Sequence, residues 1–274
     1  MSENHNNAVT KLFDGLGAPG FGLDLPFFHD MGNRLVAHAA IKPGASVLDI
    51  ACGSGSSLVP AAERAGPDGH VYAIDLSERM VEIATAECDK RSLDNVTVMQ
   101  MNACNLSWHD AMFDRVICGF ALFFVVDLHA TLVEIARVLK PGGSITAATF
   151  SNFAYPWSGY ERVLAKHGLT NRAETINSLV IEPLEHKKEL KASFSQAGFS
   201  EITICTEEYE DNYPDELAWW SAVQQSPDGF LLEGLDERRL EKLKAEALES
   251  IRFLKDGPNI RAKYQALVVR ATRP

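Results

Sequence analysis

Residues 47–55 read Val-Leu-Asp-Ile-Ala-Cys-Gly-Ser-Gly, an apolar run holding one acid and opening into a glycine turn. The run Ser46–Ile50 has the pattern of a buried parallel strand. Gly53 and Gly55 then permit a tight turn with no Cβ where a ligand must touch backbone. A helix beginning near Ser56–Ser57 would aim its free N–H groups into that turn. A second strand, His70–Leu76, ends in Asp75. That acid lies about 20 residues after the glycines, where a carboxylate can take a ribose diol. Together these residues imply a nucleotide-like cofactor.

Two common cofactor patterns fail. A dinucleotide fingerprint wants a third glycine, and Leu58 stands there. A phosphate loop wants a lysine, and no Lys or Arg falls between Lys42 and Arg64. What remains is Asp49-x-Ala51-x-Gly53-x-Gly55, which resembles motif I of class I S-adenosylmethionine (SAM) methyltransferases. Tyr72–Ser77 with Met80 resembles motif II, and Met101-Asn102-Ala103 with Leu106 resembles motif III. Phe113–Cys118 resembles motif IV, and Arg137–Gly143 resembles the turn before the fifth strand. The resemblance covers roughly residues 40–150 and is strongest to small-molecule enzymes similar to the ubiquinone and menaquinone biosynthesis methyltransferases.

The resemblance implies SAM as cofactor and assigns roles by position. Asp49 would orient the turn or reach the amino group of the methionine moiety. Ala51, Cys52, Gly53, Ser54 and Gly55 would pass the ligand's carboxylate and sulfonium arm. Asp75 would accept from both ribose hydroxyls, with Leu76 and Met80 beside it; a helix cap is the plainer reading of Asp75, although Ser77 is the better cap. Asn102 stands where the family usually has Asp, and its carbonyl could accept from the adenine amino group. A strand-end turn residue is the plainer reading of Asn102. Ala103 and Cys104 would offer backbone to the adenine, and Gly119 would admit the cofactor arm. Phe120, Phe123 and Phe124 are either core or a face for the sulfonium, with Phe120 assigned to the cofactor.

Methyl transfer from a sulfonium is an in-line displacement, so positioning and desolvation carry much of the catalysis. A base is needed only for a proton of high pKa. Among eight histidines, His29 is the candidate base, with a surface or capping role beside Asp30 as the alternative. Phe28, Phe124, Tyr155, Trp157 and Trp220 are the candidate substrate residues; packing between a cap and the sheet is the alternative for the aromatics. No local spacing of His or Cys suits a metal, so none is expected.

The elements that must position these groups alternate. Strands are read at 46–51, 70–75, 96–101, 113–119 and 144–150, and helices at 31–40, 56–65, 78–90 and 128–139. The alternation argues a parallel α/β sheet covered on both faces. Pro141-Gly142-Gly143 is read as the stop of the last helix. Later elements are a helix at 186–197, a strand at 201–209, a helix around Trp219-Trp220, a charged helix at 236–254 and a strand at 263–271. Residues 1–12 are polar and read as frayed. The resemblance makes this a Rossmann-like doubly wound sheet, mostly parallel, with a C-terminal antiparallel hairpin and helical cap insertions. One methyltransferase domain would span 1–274. Its core would be about 32–150, 186–210 and 261–274, with cap segments at 13–31, 151–185 and 211–260.

The chain has 274 residues and 46% hydrophobic content, enough for a large core. A net charge of −11 weighs against nucleic acid and anionic membranes, which need clustered Lys and Arg. No apolar stretch has spanning length, and the N-terminus lacks a signal core, so a cytoplasmic location is expected. Five cysteines without a C-x-x-C pair read as reduced thiols. The expected partner is a small-molecule acceptor, partly aromatic or polyketide-like, of secondary metabolism; a homodimer is left open. O-methylation is preferred on family habit. The alternatives are cyclisation or rearrangement on the same scaffold, an NAD-dependent oxidoreductase, or a non-catalytic scaffold with a vestigial site.

Overall fold

The computed structural model describes residues 2–16, 26–151, 158–169, 179–181, 184–225 and 227–274. The chain divides into two compact units. One comprises Met1–Ser151, Val180–Glu207 and Ala266–Pro274, and the other Asn152–Leu179 and Glu208–Gln265.

The first unit is built on five strands: β1 (Ser46–Ile50), β2 (His70–Asp75), β3 (Val96–Gln100), β4 (Phe113–Gly119) and β5 (Leu139–Phe150). They pair in parallel, with β1 between β2 and β4. Two long strands, β6 (Ser200–Tyr213) and β8 (Asn259–Thr272), extend the sheet to the order β3-β2-β1-β4-β5-β8-β6. β8 runs antiparallel to β5, with Ala147 opposite Val269. This is the mostly parallel sheet with an antiparallel C-terminal pair that the sequence resemblance implied.

Alternation sorts the strand side chains between two apolar layers. Leu48, Ile74, Phe113 and Val116 face one layer, where α5 (Leu128–Val138) and α7 (Lys187–Gln196) pack through Leu132, Ile135, Leu190 and Phe194. Val47, Val71, Ala73 and Ile117 face the other, covered by α2 (Pro26–Ala39) and α3 (Leu58–Ala65) through Leu35, Val36, Ala61 and Ala62. Full burial of each Leu, Ile or Phe contributes about 2 kcal/mol. The helix heads follow their capping residues. Ser77 Oγ accepts from Met80 N at the start of α4 (Glu78–Lys90), and the Asp127 carboxylate accepts from Ala130 N at α5.

Three expectations are corrected. Residues 2–16 form a helix, α1 (Ser2–Leu16), rather than a frayed tail. It docks through Val9, 8% exposed, and through Asp14, which accepts from Ser77 Oγ at 2.6 Å. Helix α2 begins at Pro26, five residues before Met31, the expected start. Proline suits that place because the first helical N–H has no partner to lose. Finally, β5 begins at Leu139, paired with Phe113, five residues before the expected 144; the helix ahead of it ends at Val138, before Pro141-Gly142-Gly143 as read, and a register shift near Arg115 takes up the turn at Gly142, φ 75°.

The second unit holds α6 (Ser158–Lys166), α8 (Glu216–Gln225), α9 (Glu237–Ser250) and the two-residue β7 (Lys255–Asp256), which pairs with β8. Its core gathers Tyr160, Leu164, Trp219, Trp220, Leu243, Ala247 and Ile260. A Cβ on Gly159 would lie 2.7 Å from the Ser250 carbonyl oxygen, so α6 meets the end of α9 backbone to backbone. No helix among the described residues is long and apolar enough to cross a membrane.

Candidate functional site

At the carboxyl end of β1 the chain turns through Ala51 (φ 54°), Gly53 (φ 54°) and Gly55 (φ 98°). An alanine in that left-handed region costs roughly 1–2 kcal/mol. Phe120, which follows β4, repeats the device at φ 55°. Strain of this kind persists where surrounding structure imposes it, commonly at ligand sites. The turn is imposed by hydrogen bonds: Cys52 N donates to Ile74 O at 2.9 Å and Gly55 N to Cys52 O at 3.0 Å.

Two carboxylates organise the turn. Asp75 Oδ2 accepts from Gly53 N and Oδ1 from Ser77 N, both at 2.9 Å. One side chain therefore ties the glycine turn to the head of α4. Each oxygen keeps a second lone pair, so these bonds leave Asp75 able to accept more. Desolvation raises its pKa, against the pull of these backbone N–H groups. Asp49 is fully buried. Its Oδ2 accepts from Ser57 Oγ at 2.8 Å, while Oδ1 is buried without a hydrogen-bond partner among the described residues. Desolvation, opposed by Ser57 and reinforced by Asp75, pushes the Asp49 carboxyl up to about 7. A buried acceptor without a donor fits a ligand that brings an N–H or a positive charge.

The other side of the turn is closed by α2. A Cβ on Gly32 would lie 2.2 Å from the Ser56 carbonyl oxygen, so glycine alone allows this approach. The sequence reading missed Gly32; a lone glycine inside an apolar helical stripe was the available signal.

At the end of β3, Asn102 Oδ1 accepts from Cys104 N at 2.9 Å, which commits the carbonyl to a turn and leaves the amide donors. Leu76, Ala103 and Cys104 are half-buried around this bend, and Cys52, Ser54 and Gly55 are buried in the turn itself. Met80 is fully buried, and its N–H donates to Ser77 Oγ; its side chain anchors α4 and presents no surface.

Beyond β4 and β5 the character changes to aromatic. Phe120 lies 4.7 Å from Phe150, 5.3 Å from Phe27 and 5.9 Å from Phe28, ring centre to ring centre. Phe27 stacks on Phe150 at 5.9 Å. Phe123 lies 4.6 Å from Phe124 and 6.0 Å from Phe150, and Phe13 of α1 meets Phe124 edge-on at 5.6 Å. His5 Nε2 reaches the Phe124 carbonyl at 2.8 Å, which fixes α1 over this end of the sheet. At Gly119 β4 packs on α2, where a Cβ would meet Leu35 at an ordinary 3.5 Å.

The structure thus brings Asp49, Ala51, Gly53, Gly55, Asp75, Asn102, Gly119 and Phe120 to the carboxyl ends of β1–β4, with Phe28 and Phe124 in the adjoining ring cluster. It does not do so for all the candidates. His29 is exposed, with its carbonyl accepting from Asn33 Nδ2 at 2.8 Å and Nδ1 3.4 Å from the same nitrogen. Trp220 is 4% exposed inside the second unit's core, 6.2 Å from Trp219; packing, not a ligand, accounts for it. Tyr155 and Trp157 lie outside the described residues.

Residues 47–143 match a family model described as a methyltransferase domain. The chain is 35% identical over 159 residues to the aklanonic acid methyltransferase DauC of Streptomyces sp. (strain C5), covering 57% of this chain and 72% of that one. It is 35% identical over 134 residues to the nocamycin O-methyltransferase of Saccharothrix syringae, covering 49% of this chain and 48% of that one. Among solved structures, the cyclase SpnF superposes with a TM-score of 0.58 at 16% identity, covering 100% of this chain and 94% of that one. That last likeness is one of fold alone. With the strand, glycine turn and paired carboxylates in place and a close relative covered over most of its length, the chain belongs to the class I SAM-dependent methyltransferases of small-molecule type, and S-adenosylmethionine is its cofactor.

Proposed function

We propose that this enzyme methylates an oxygen of a flat, largely apolar secondary metabolite of polyketide-like chemistry. The observation that carries this reading is the ring cluster of Phe27, Phe28, Phe120, Phe123, Phe124 and Phe150 at the carboxyl ends of β4 and β5. Aromatic walls favour a planar acceptor through stacking and edge contacts. The names of two relatives point the same way, one acting on aklanonic acid and one an O-methyltransferase.

When bound, SAM supplies a methyl group already activated on a sulfonium. The chain's residues then hold and orient. Asp49 Oδ1 takes the ligand's ammonium, and the backbone of Ala51, Cys52, Gly53, Ser54 and Gly55 passes its carboxylate end. The spare lone pairs of Asp75 accept from the ribose hydroxyls. The Asn102 amide donates to an adenine ring nitrogen, with Leu76, Ala103 and Cys104 around the base. Gly119 and Phe120 would border the methyl-bearing arm, where the phenylalanine face suits a cation. The rings exclude water from the line of displacement. Phenolic or carboxylic oxygens ionise readily enough that no strong base is required.

The test is mass spectrometry of products from SAM and a panel of hydroxylated aromatic and polyketide acids. A gain of one methyl, placed on oxygen by nuclear magnetic resonance, is expected. A methyl on carbon or nitrogen overturns the assignment of the atom. An isomerised product without mass gain overturns methyl transfer in favour of cyclisation.

A further inference from the structure

Away from the strand-end turn, three side chains of different chemistry converge within the first unit. Cys205 and Glu207 are two apart on β6, so strand alternation puts them on one face. His38, from the last turn of α2, meets them there. His38 Nε2 lies 2.7 Å from Glu207 Oε1 and 3.8 Å from Cys205 Sγ, and all three ligand atoms fall within 4.8 Å of one another. Each residue is half-buried.

We propose that His38, Cys205 and Glu207 form a binding site for one divalent transition-metal ion of zinc-like preference. An imidazole, a thiolate and a carboxylate are the three ligand types zinc takes. In a tetrahedral site with ordinary bond lengths they stand roughly 3.3–3.6 Å apart. The observed separations bracket that spacing. Ligation replaces the hydrogen bond between His38 and Glu207 by two metal bonds, and the Cys205 thiol proton passes to solvent.

The surroundings suit the role. Glu207 Oε2 is held by Arg34 Nη1 at 3.0 Å, and Arg34 Nε is in turn paired with Asp30 at 2.6 Å. That outer chain fixes the carboxylate and leaves Oε1 toward the imidazole, as partners of metal ligands commonly do. A groove of about 260 Å³ opens beside the three residues, lined also by Thr203, Ile204, Val268 and Arg270. It gives an ion access and leaves room for water as a fourth ligand. Arg34, Arg270 and Lys187 oppose a cation; Glu207, Asp30 and the thiolate formed on binding balance them. The bound ion would pin α2, whose first turn carries Phe27 and Phe28, to the last strand of the sheet.

The test uses the full chain, stripped with chelator, kept reduced and titrated with cobalt(II), whose thiolate complexes absorb in the near ultraviolet. One equivalent should bind with that absorption, and zinc should displace it. Cys205→Ser should lose the band. His38→Gln and Glu207→Gln should each weaken binding by at least about tenfold, the scale of a disturbed metal site. Binding of S-adenosylhomocysteine by each variant reports an intact fold, and the three substitutions are independent should one fail it. No saturable cobalt binding by the unaltered protein overturns the proposal. So does a band that survives in Cys205→Ser, because the ion then sits on another cysteine.

Discussion

The β1–β2 end of the sheet and the β4–β5 end are built on different plans. At the first, one contiguous stretch and one downstream acid make the site. Strand β1, the Ala51–Gly55 turn and Asp75 are joined by hydrogen bonds, and a buried carboxylate oxygen is left without a donor among the described residues. At the second, phenylalanines arrive from α1, α2, the segment after β4 and the end of β5, and they meet through ring contacts. The polar end is directional and tolerates little. The aromatic end is a surface whose shape can change without loss of fold. Such a division lets one cofactor site serve many acceptors.

The sharpest break concerns the helix that borders both ends. Gly32→Ala sets a Cβ against the Ser56 carbonyl, 2.2 Å away, and should destabilise the protein by about 3 kcal/mol, the upper range for overpacking. Urea unfolding measures it, and a variant as stable as the parent would mean that α2 rides freely over the turn. Next, Asp75→Ala should weaken S-adenosylhomocysteine binding by about 1.5–3 kcal/mol, the scale of hydrogen bonds to a charged group. Calorimetry that finds unchanged affinity removes Asp75 from the cofactor site.

A pH series on the same titration isolates Asp49. Its folded pKa is raised, to about 7. The stability it contributes to the free protein is therefore present below the unfolded carboxylate range and is lost as pH rises through about 7. Ligand binding runs the other way, because the ammonium wants the ionised form. Affinity should climb by up to about tenfold per unit below that value and level off above it, one proton being linked. Asp49→Asn should flatten the profile, and a parent profile that is already flat contradicts the pairing.

At the aromatic end, Phe150 is 40% exposed, so its loss should spare the core. Phe150→Ala should raise the acceptor KM by about tenfold or less, within the range for aromatic pairs, and leave cofactor affinity alone. A fall in stability with no change in KM would return the ring to the core. The smallest effect is expected from His29→Ala. An exposed ring near Asn33 should cost less than about tenfold in kcat, where loss of a general base costs about 10²–10⁴. A loss in that larger range restores His29 as the base.

The same contrast explains what could be read in advance. Asp49, Gly53, Gly55 and Asp75 were legible because strand, turn and helix head are consecutive and their spacing is fixed by backbone geometry. The first four strands were legible to within a residue for the same local reason, whereas β5, β6 and β8 each run four or five residues past an expected bound. Phe28, Phe120 and Phe124 could be singled out as aromatics near the site, but their union with Phe27, Phe123 and Phe150 depends on pairing register: Gly119 opposite Ala148 sets Phe120 beside Phe150. Helix α1 is mostly polar, and its order comes from partners far along the chain, Ser77 and Phe124. His38 and Cys205 are 167 residues apart, beyond any spacing rule.

Strand β6 has a consequence outside catalysis. Among the described residues it ends the sheet, the place where a strand of fourteen residues can template a neighbouring chain. Glu201, Glu208 and Glu210 stand exposed along it. Two copies approaching edge to edge would bring these like charges together. Acids on this strand would thus weigh against the sheet growing by edge pairing.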